Sequence, residues 1–106
     1  MKNGFIIVSI MCGSRKEADV IVDALLKKRL AACGTVGGTV TSRFWWKGKL
    51  DGASEVTVTL KTTRDNFSRL EREVKRLHSY DVPEIVAFPV AAGSAAYLDW
   101  IRDTVA

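Results

Sequence analysis

Glu55-Val-Thr-Val-Thr-Leu-Lys-Thr62 alternates strictly, with Val56, Val58 and Leu60 on one side and Thr57, Thr59 and Lys61 on the other. Successive side chains of an extended chain point to opposite faces, so this stretch reads as a strand with one apolar face. Just before it, Thr39–Trp46 alternates well enough to be its neighbour. Lys47-Gly-Lys-Leu-Asp-Gly52 connects the two, with glycines for the positive-φ positions of a hairpin. A glycine-rich stretch (Gly34, Gly37, Gly38) leads into the first of these strands.

Further out, Phe5–Cys12 (FIIVSIMC) is continuously apolar and β-branched, the pattern of a central strand buried on both faces. Gly13 breaks it. Ser14-Arg-Lys-Glu17 fits a capping box, with serine holding a backbone amide and glutamate reaching back. The helix that follows carries Ala18, Val22, Leu25 and Leu26 on one face and runs to about Leu30. On the other side of the hairpin, Thr63–His78 reads as a helix with a stripe of Phe67, Leu70, Val74 and Leu77. Pro83 stops it, and Ile85–Phe88 form the last strand. Ser94 caps a short C-terminal helix expected to bury Tyr97, Leu98 and Ile101 or Trp100.

The order β-α-β-β-α-β plus a terminal helix predicts an α+β, ferredoxin-like split βαβ fold in a single domain spanning 1–106. Right-handed crossovers place both main helices on one face of an antiparallel sheet. Trp45 and Trp46 are consecutive in a strand, so one of them must lie on the face those helices leave uncovered. An exposed aromatic face on so small a domain predicts a homo-oligomer.

Composition narrows the function classes. The chain has 106 residues, 47% hydrophobic and 26% charged, which argues against disorder and fibrous repeats. Its longest apolar run, Phe5–Cys12, is far shorter than the roughly 20 residues of a membrane helix. Arg15-Lys16-Glu17 stands where a signal-peptide cleavage site would need small residues, so a cytoplasmic protein without a membrane partner is expected. The net charge of +4 is spread along the chain, and the densest basic run, Lys27-Lys28-Arg29, lies at a helix end where the dipole favours cations. An RNA-binding sheet of this architecture needs stacking aromatics on the third strand, and EVTVTLKT has none, so no nucleic-acid partner is expected.

There is one histidine, and no nucleophile elbow, phosphate loop or zinc-protease signature, so an enzyme is not expected. Cys12 and Cys33 make no disulfide framework and read as free thiols in a reducing compartment. Cysteine with histidine is a donor set suited to copper or zinc, which makes His78, Cys33 and Cys12 candidate ligands. The blander reading is a helix-end histidine and two small buried hydrophobes. Lys61, Tyr80 and Glu84, near the ends of strands, could converge at the edge of a cleft or form a solvated rim.

Taken in order, Ala31-Ala32-Cys33, Ser42-Arg-Phe-Trp-Trp46-Lys-Gly48-Lys, Glu55 leading to Lys61-Thr62, His78-Ser-Tyr80 with Pro83-Glu84, and Tyr97-Leu-Asp-Trp100-Ile span nearly the whole chain. The series resembles the CutA divalent-cation tolerance family. The resemblance implies a tight homotrimer similar in architecture to the PII signalling proteins, and a role in tolerance to divalent metals, copper especially. It implies Cu2+ (with Zn2+ as another candidate) as the ion, Cys33, His78 and Cys12 as metal positions, and Trp46, Lys61, Tyr80 and Glu84 as lining clefts between subunits. Two alternatives accompany it. One is a PII-like sensor taking a small anionic ligand in the cleft, with Lys61 as the cation, Trp46 and Tyr80 as walls and Glu84 for orientation, and signalling to a downstream protein. The other is a trimeric scaffold whose cleft residues only hold the trimer together. The chain departs from the family pattern at Gly34-Thr35, where Asn or Ala is usual after Ala-Ala-Cys, and at Leu77-His78, where some members have two histidines.

Overall fold

The computed structural model describes residues 4–106. β1 (Phe5–Cys12), α1 (Arg15–Lys27), β2 (Cys33–Trp46), β3 (Lys49–Thr63), α2 (Phe67–Leu77), β4 (Ile85–Pro89) and α3 (Ala95–Thr104) follow in chain order, with a 3-10 turn over Arg64–Asn66 leading into α2. The four strands form one sheet in the order β2-β3-β1-β4, every neighbouring pair antiparallel. With β1 and β3 central, and α1 and α2 each crossing over to a strand that is not a neighbour (β1 to β2, β3 to β4), this is the ferredoxin-like arrangement. No helix among the described residues is long and apolar enough to cross a membrane.

The core lies between one sheet face and the two helices. Ile6, Val8, Ile10 and Cys12 of β1 and Val56, Val58 and Leu60 of β3 pack against Ala18, Ile21, Val22 and Leu25 of α1 and Leu70 and Val74 of α2. Both strands therefore bury one side only. Phe5, Ile7, Ser9 and Met11 are half-buried, so β1 is not enclosed on both faces as its apolar run predicts. An unbroken apolar run marks a face that wants cover, and two helices on one side supply only half of it.

β2 begins at Cys33 rather than Thr39, because the glycines are part of the strand. An added Cβ on Gly34 would sit 2.7 Å from Val22 Cγ1 and 2.9 Å from Leu60 Cδ2, so glycine is what lets α1 press onto the sheet there. The register shifts between Val36 and Thr39, a bulge at Gly37-Gly38. The hairpin is also tighter than expected. Trp46 pairs with Lys49, and Lys47 (φ 51°) with Gly48 (φ 79°) makes a two-residue turn with positive φ at both positions. β1 pairs with β3 only as far as Val56, so the segment of β3 from Lys49 to Glu55 pairs with β2 alone and projects as an arm. Trp45 (73% exposed) and Trp46 (39%) both lie on this arm, beyond the reach of either helix. Of the residues expected to bury α3, only Ile101 is buried; Tyr97 and Trp100 form a tilted ring pair at 5.5 Å that stays largely exposed.

Candidate metal cluster and arm cavity

β1 ends at Cys12, and the turn into α1 organises the first candidate site. Ser14 Oγ accepts the Glu17 N–H at 3.1 Å, the first half of the capping box. The second half is displaced by one residue: Glu17 Oε1 accepts from Gly13 N–H (2.9 Å), and Oε2 accepts from Ser79 N–H (2.7 Å), across to the segment after α2. His78 turns inward from the end of α2. Its Nδ1 accepts the Tyr80 N–H at 3.1 Å, so the ring proton sits on Nε2, which donates to the Met11 carbonyl at 2.8 Å. Cys12 Sγ, a Glu17 oxygen and a His78 nitrogen then lie within 4.8 Å of one another.

The electrostatics of this cluster are those of a closed state. Burial, reinforced by the carboxylates of Glu17 and Glu55, pushes the Cys12 thiol up to about 11, so it is protonated at neutral pH. Burial also pulls the Glu17 carboxyl upward, but the amides of Gly13 and Ser79 and the Ser79 side chain outweigh it and hold the group below its ordinary value. Sulfur, oxygen and imidazole nitrogen suit a soft or borderline ion. For an ion to enter, Cys12 must lose its proton and His78 must release one backbone partner.

The second candidate site is a cavity of about 840 Å³ between the arm and the segment following His78. Trp46, Tyr80 and Glu84 line it together, as do Glu55 and Asp81. The Tyr80 hydroxyl is pushed up to about 12, by burial first and then by the neighbouring Glu55 carboxylate. Lys61 is not part of this lining. It is the register partner of Cys33 on β2 and of Ile7 on β1, five positions before Cys12, which places it about 17 Å along the sheet from the metal cluster. Cys33 stays with it, its Sγ 3.5 Å from the Tyr97 hydroxyl. The structure thus gathers Cys12 with His78, and Trp46 with Tyr80 and Glu84, and leaves Cys33 and Lys61 at the opposite end of β2–β3.

Two residues of these sites were given no role from the sequence. Glu17 reads as a helix cap, and only the return of the chain after α2 shows its second oxygen on Ser79. Glu55 reads as the polar start of a strand, yet it is only 6% exposed.

This geometry can be set beside known proteins. A family model described as CutA1 divalent ion tolerance protein matches residues 6–104. The chain belongs to the CutA1 family. Among CutA relatives, the divalent-cation tolerance protein CutA of Archaeoglobus fulgidus is 41% identical over 98 residues, covering 92% of this chain and 95% of its own. Its counterpart from Thermus thermophilus is 42% identical over 97 residues, covering 92% and 94%. The solved structure from Thermus thermophilus superposes with a TM-score of 0.94 at 40% identity, covering 96% of this chain and 99% of that one. The Archaeoglobus fulgidus structure, described as a periplasmic divalent cation tolerance protein, gives 0.93 at 39% identity over 96% and 99%. The CutA1 fold is therefore the setting in which both candidate sites are to be read.

Proposed function

We propose that this CutA1 chain serves the response to divalent cations as a homotrimer, and that it takes up a soft divalent ion, copper ahead of zinc, at Cys12, Glu17 and His78. The reading is one of binding rather than catalysis. The observation that carries it is the approach of three chemically different donors to within 4.8 Å. Bonds of about 2.0–2.3 Å would put the donors around one ion roughly 3.3–3.8 Å apart, so the cluster needs a contraction of about 1 Å. Cys33 lies outside this site. Displacing a proton and a backbone hydrogen bond makes the binding weak, which suits tolerance better than permanent tenancy.

The trimer rests on exposed apolar surface. Phe88 and Val86 on β4, Trp100 and Tyr97 on α3, and Trp45 and Leu50 on the arm are all exposed in the single chain. So much uncovered apolar area favours self-association. The two free cysteines are the ground for proposing a reducing, cytoplasmic compartment.

Equilibrium dialysis against Cu2+, Zn2+ and Mg2+, with the mass of the assembly measured by light scattering, tests both parts. Expected are a trimer, copper bound in preference to magnesium, and binding abolished by Cys12→Ala but retained by Cys33→Ala. Copper counts unchanged in Cys12→Ala would end the metal reading, and a monomer would end the assembly reading. The anionic-ligand alternative belongs to a cleft between subunits, where Lys61 would have to come from a neighbouring chain, because within one chain it does not line the cavity that holds Trp46, Tyr80 and Glu84.

A further inference from the structure

His78 ties the end of β1 to the segment that leaves α2. Its side chain is fully buried, and both ring nitrogens are engaged with backbone. Between His78 and β4 the chain has no helix or strand. Among the described residues, the amides of 79–83 that find an acceptor are Ser79, on Glu17 Oε2 at 2.7 Å, and Tyr80, on His78 Nδ1 at 3.1 Å. Both acceptors belong to the candidate metal cluster. Tyr80 and Asp81 go on to line the arm cavity. The two bonds lie within one chain and do not depend on what covers that cavity in the assembly.

The two amides differ in what metal uptake would cost them. A neutral imidazole has one nitrogen with a free lone pair and one N–H. Nδ1 holds the lone pair here, 3.9 Å from Glu17 Oε2, and can give it to the Tyr80 amide or to an ion but not to both. Nε2 could face an ion only with the ring proton moved to Nδ1. That proton would meet the Tyr80 N–H donor to donor, and the Met11 carbonyl would lose its partner. By either nitrogen, Tyr80 loses its acceptor. Coordination through Nδ1 gives up one hydrogen bond rather than two, and it keeps Nε2–H on a backbone carbonyl, the usual support of a ligating histidine. Ser79 is different. A carboxylate has about four acceptor positions, and the amides of Gly13 and Ser79 occupy one on each oxygen of Glu17. Glu17 can therefore hold an ion and keep Ser79.

Given the metal uptake proposed above, we infer that the cluster is a metal-operated release: loading Cys12, Glu17 and His78 frees the Tyr80 amide and leaves Ser79 anchored. The segment that supplies Tyr80 and Asp81 to the arm cavity thereby responds to the ion. The test is amide hydrogen exchange of the assembled full chain, read residue by residue by NMR, with and without diamagnetic Zn2+. A bound ion stabilises the fold and slows exchange in general. Tyr80 should run against that trend and exchange about tenfold faster, the worth of roughly one hydrogen bond, while Ser79 does not speed up. Cys33→Ala should repeat this result. Cys12→Ala with zinc, and the parent with an equal concentration of Mg2+, should leave Tyr80 unchanged; should Cys12→Ala fail to fold, the magnesium arm carries the control. Zinc counted by dialysis in the same samples separates the two claims. Zinc held by Cys12 with Tyr80 exchange unchanged or slowed overturns the release and leaves the metal site standing, as does equal acceleration at Ser79. Acceleration at Tyr80 that persists in Cys12→Ala also overturns the release, and absence of bound zinc overturns both.

Discussion

His78 Nε2 donates to the Met11 carbonyl at 2.8 Å, tying the segment after α2 to the last turn of β1. The same ring accepts the Tyr80 amide through Nδ1, so both nitrogens of the one histidine hold backbone. The residue that most resembles a metal ligand in the sequence is thus also a structural clasp, and metal binding draws on the stability of the fold.

His78→Ala should therefore cost about 2–4 kcal/mol, from a part-buried carbonyl left without its donor and the void left by the buried ring. Urea unfolding of wild type and variant measures it. A loss under about 0.5 kcal/mol would mean that the clasp contributes little to stability.

Gly34→Ala should destabilise by about 1–3 kcal/mol through overpacking, since its Cβ would press on Val22 and Leu60. Trimming the neighbour should relieve the clash, so Gly34→Ala combined with Val22→Ala should show a favourable coupling. If the two losses simply add, the close approach of α1 to β2 is not what requires glycine there.

Glu73 joins α1 to α2 by accepting from Arg76 at 2.7 and 3.1 Å and from Lys28 at 3.1 Å. These hydrogen bonds, Arg76 first and then Lys28, lower its carboxyl from 4.5 to about 2. The folded value lies below the unfolded one, so the stabilisation is fully present above pH 4.5 and is lost as pH falls through about 2. Acid unfolding curves of wild type and Glu73→Gln should diverge at neutral pH and converge toward pH 2. Curves that stay parallel down to that pH would exclude the linkage.

The cysteines should separate by reactivity. Cys12 is fully buried with its thiol raised to about 11, whereas Cys33 is half-buried beside the Tyr97 hydroxyl. Alkylation of the native protein near pH 8, read by peptide mass, should label Cys33 first and Cys12 only on unfolding. Equal labelling in the native state would contradict the closed cluster.

The order of elements along the chain and both helix stripes are legible in the sequence because each rests on a period: two for Val56-Val58-Leu60, three to four for Leu70 and Val74. Where the reading falls short, local pattern is blind to what packs nearby. An apolar run such as Phe5–Cys12 does not tell whether one face or two is covered, and Lys47 in a positive-φ conformation hides a two-residue turn from a search for glycine pairs. The arm exposes both Trp45 and Trp46 because β3 outruns β1 there and neither helix reaches it. The candidate sites were half legible. Residue type points to Cys12 and His78 as donors and to Trp46, Tyr80 and Glu84 as a cleft. Strand length, visible only once the register is known, carries Cys33 and Lys61 to the opposite end.

Cobalt(II) absorption tests the metal cluster most directly, because a coordinated thiolate gives a near-ultraviolet charge-transfer band that an imidazole or carboxylate does not. A metal held by Cys12, Glu17 and His78 predicts that band in the wild type and in Cys33→Ala, and its loss in Cys12→Ala. A band that disappears with Cys33 instead, or no band in the wild type at saturating cobalt, would contradict it.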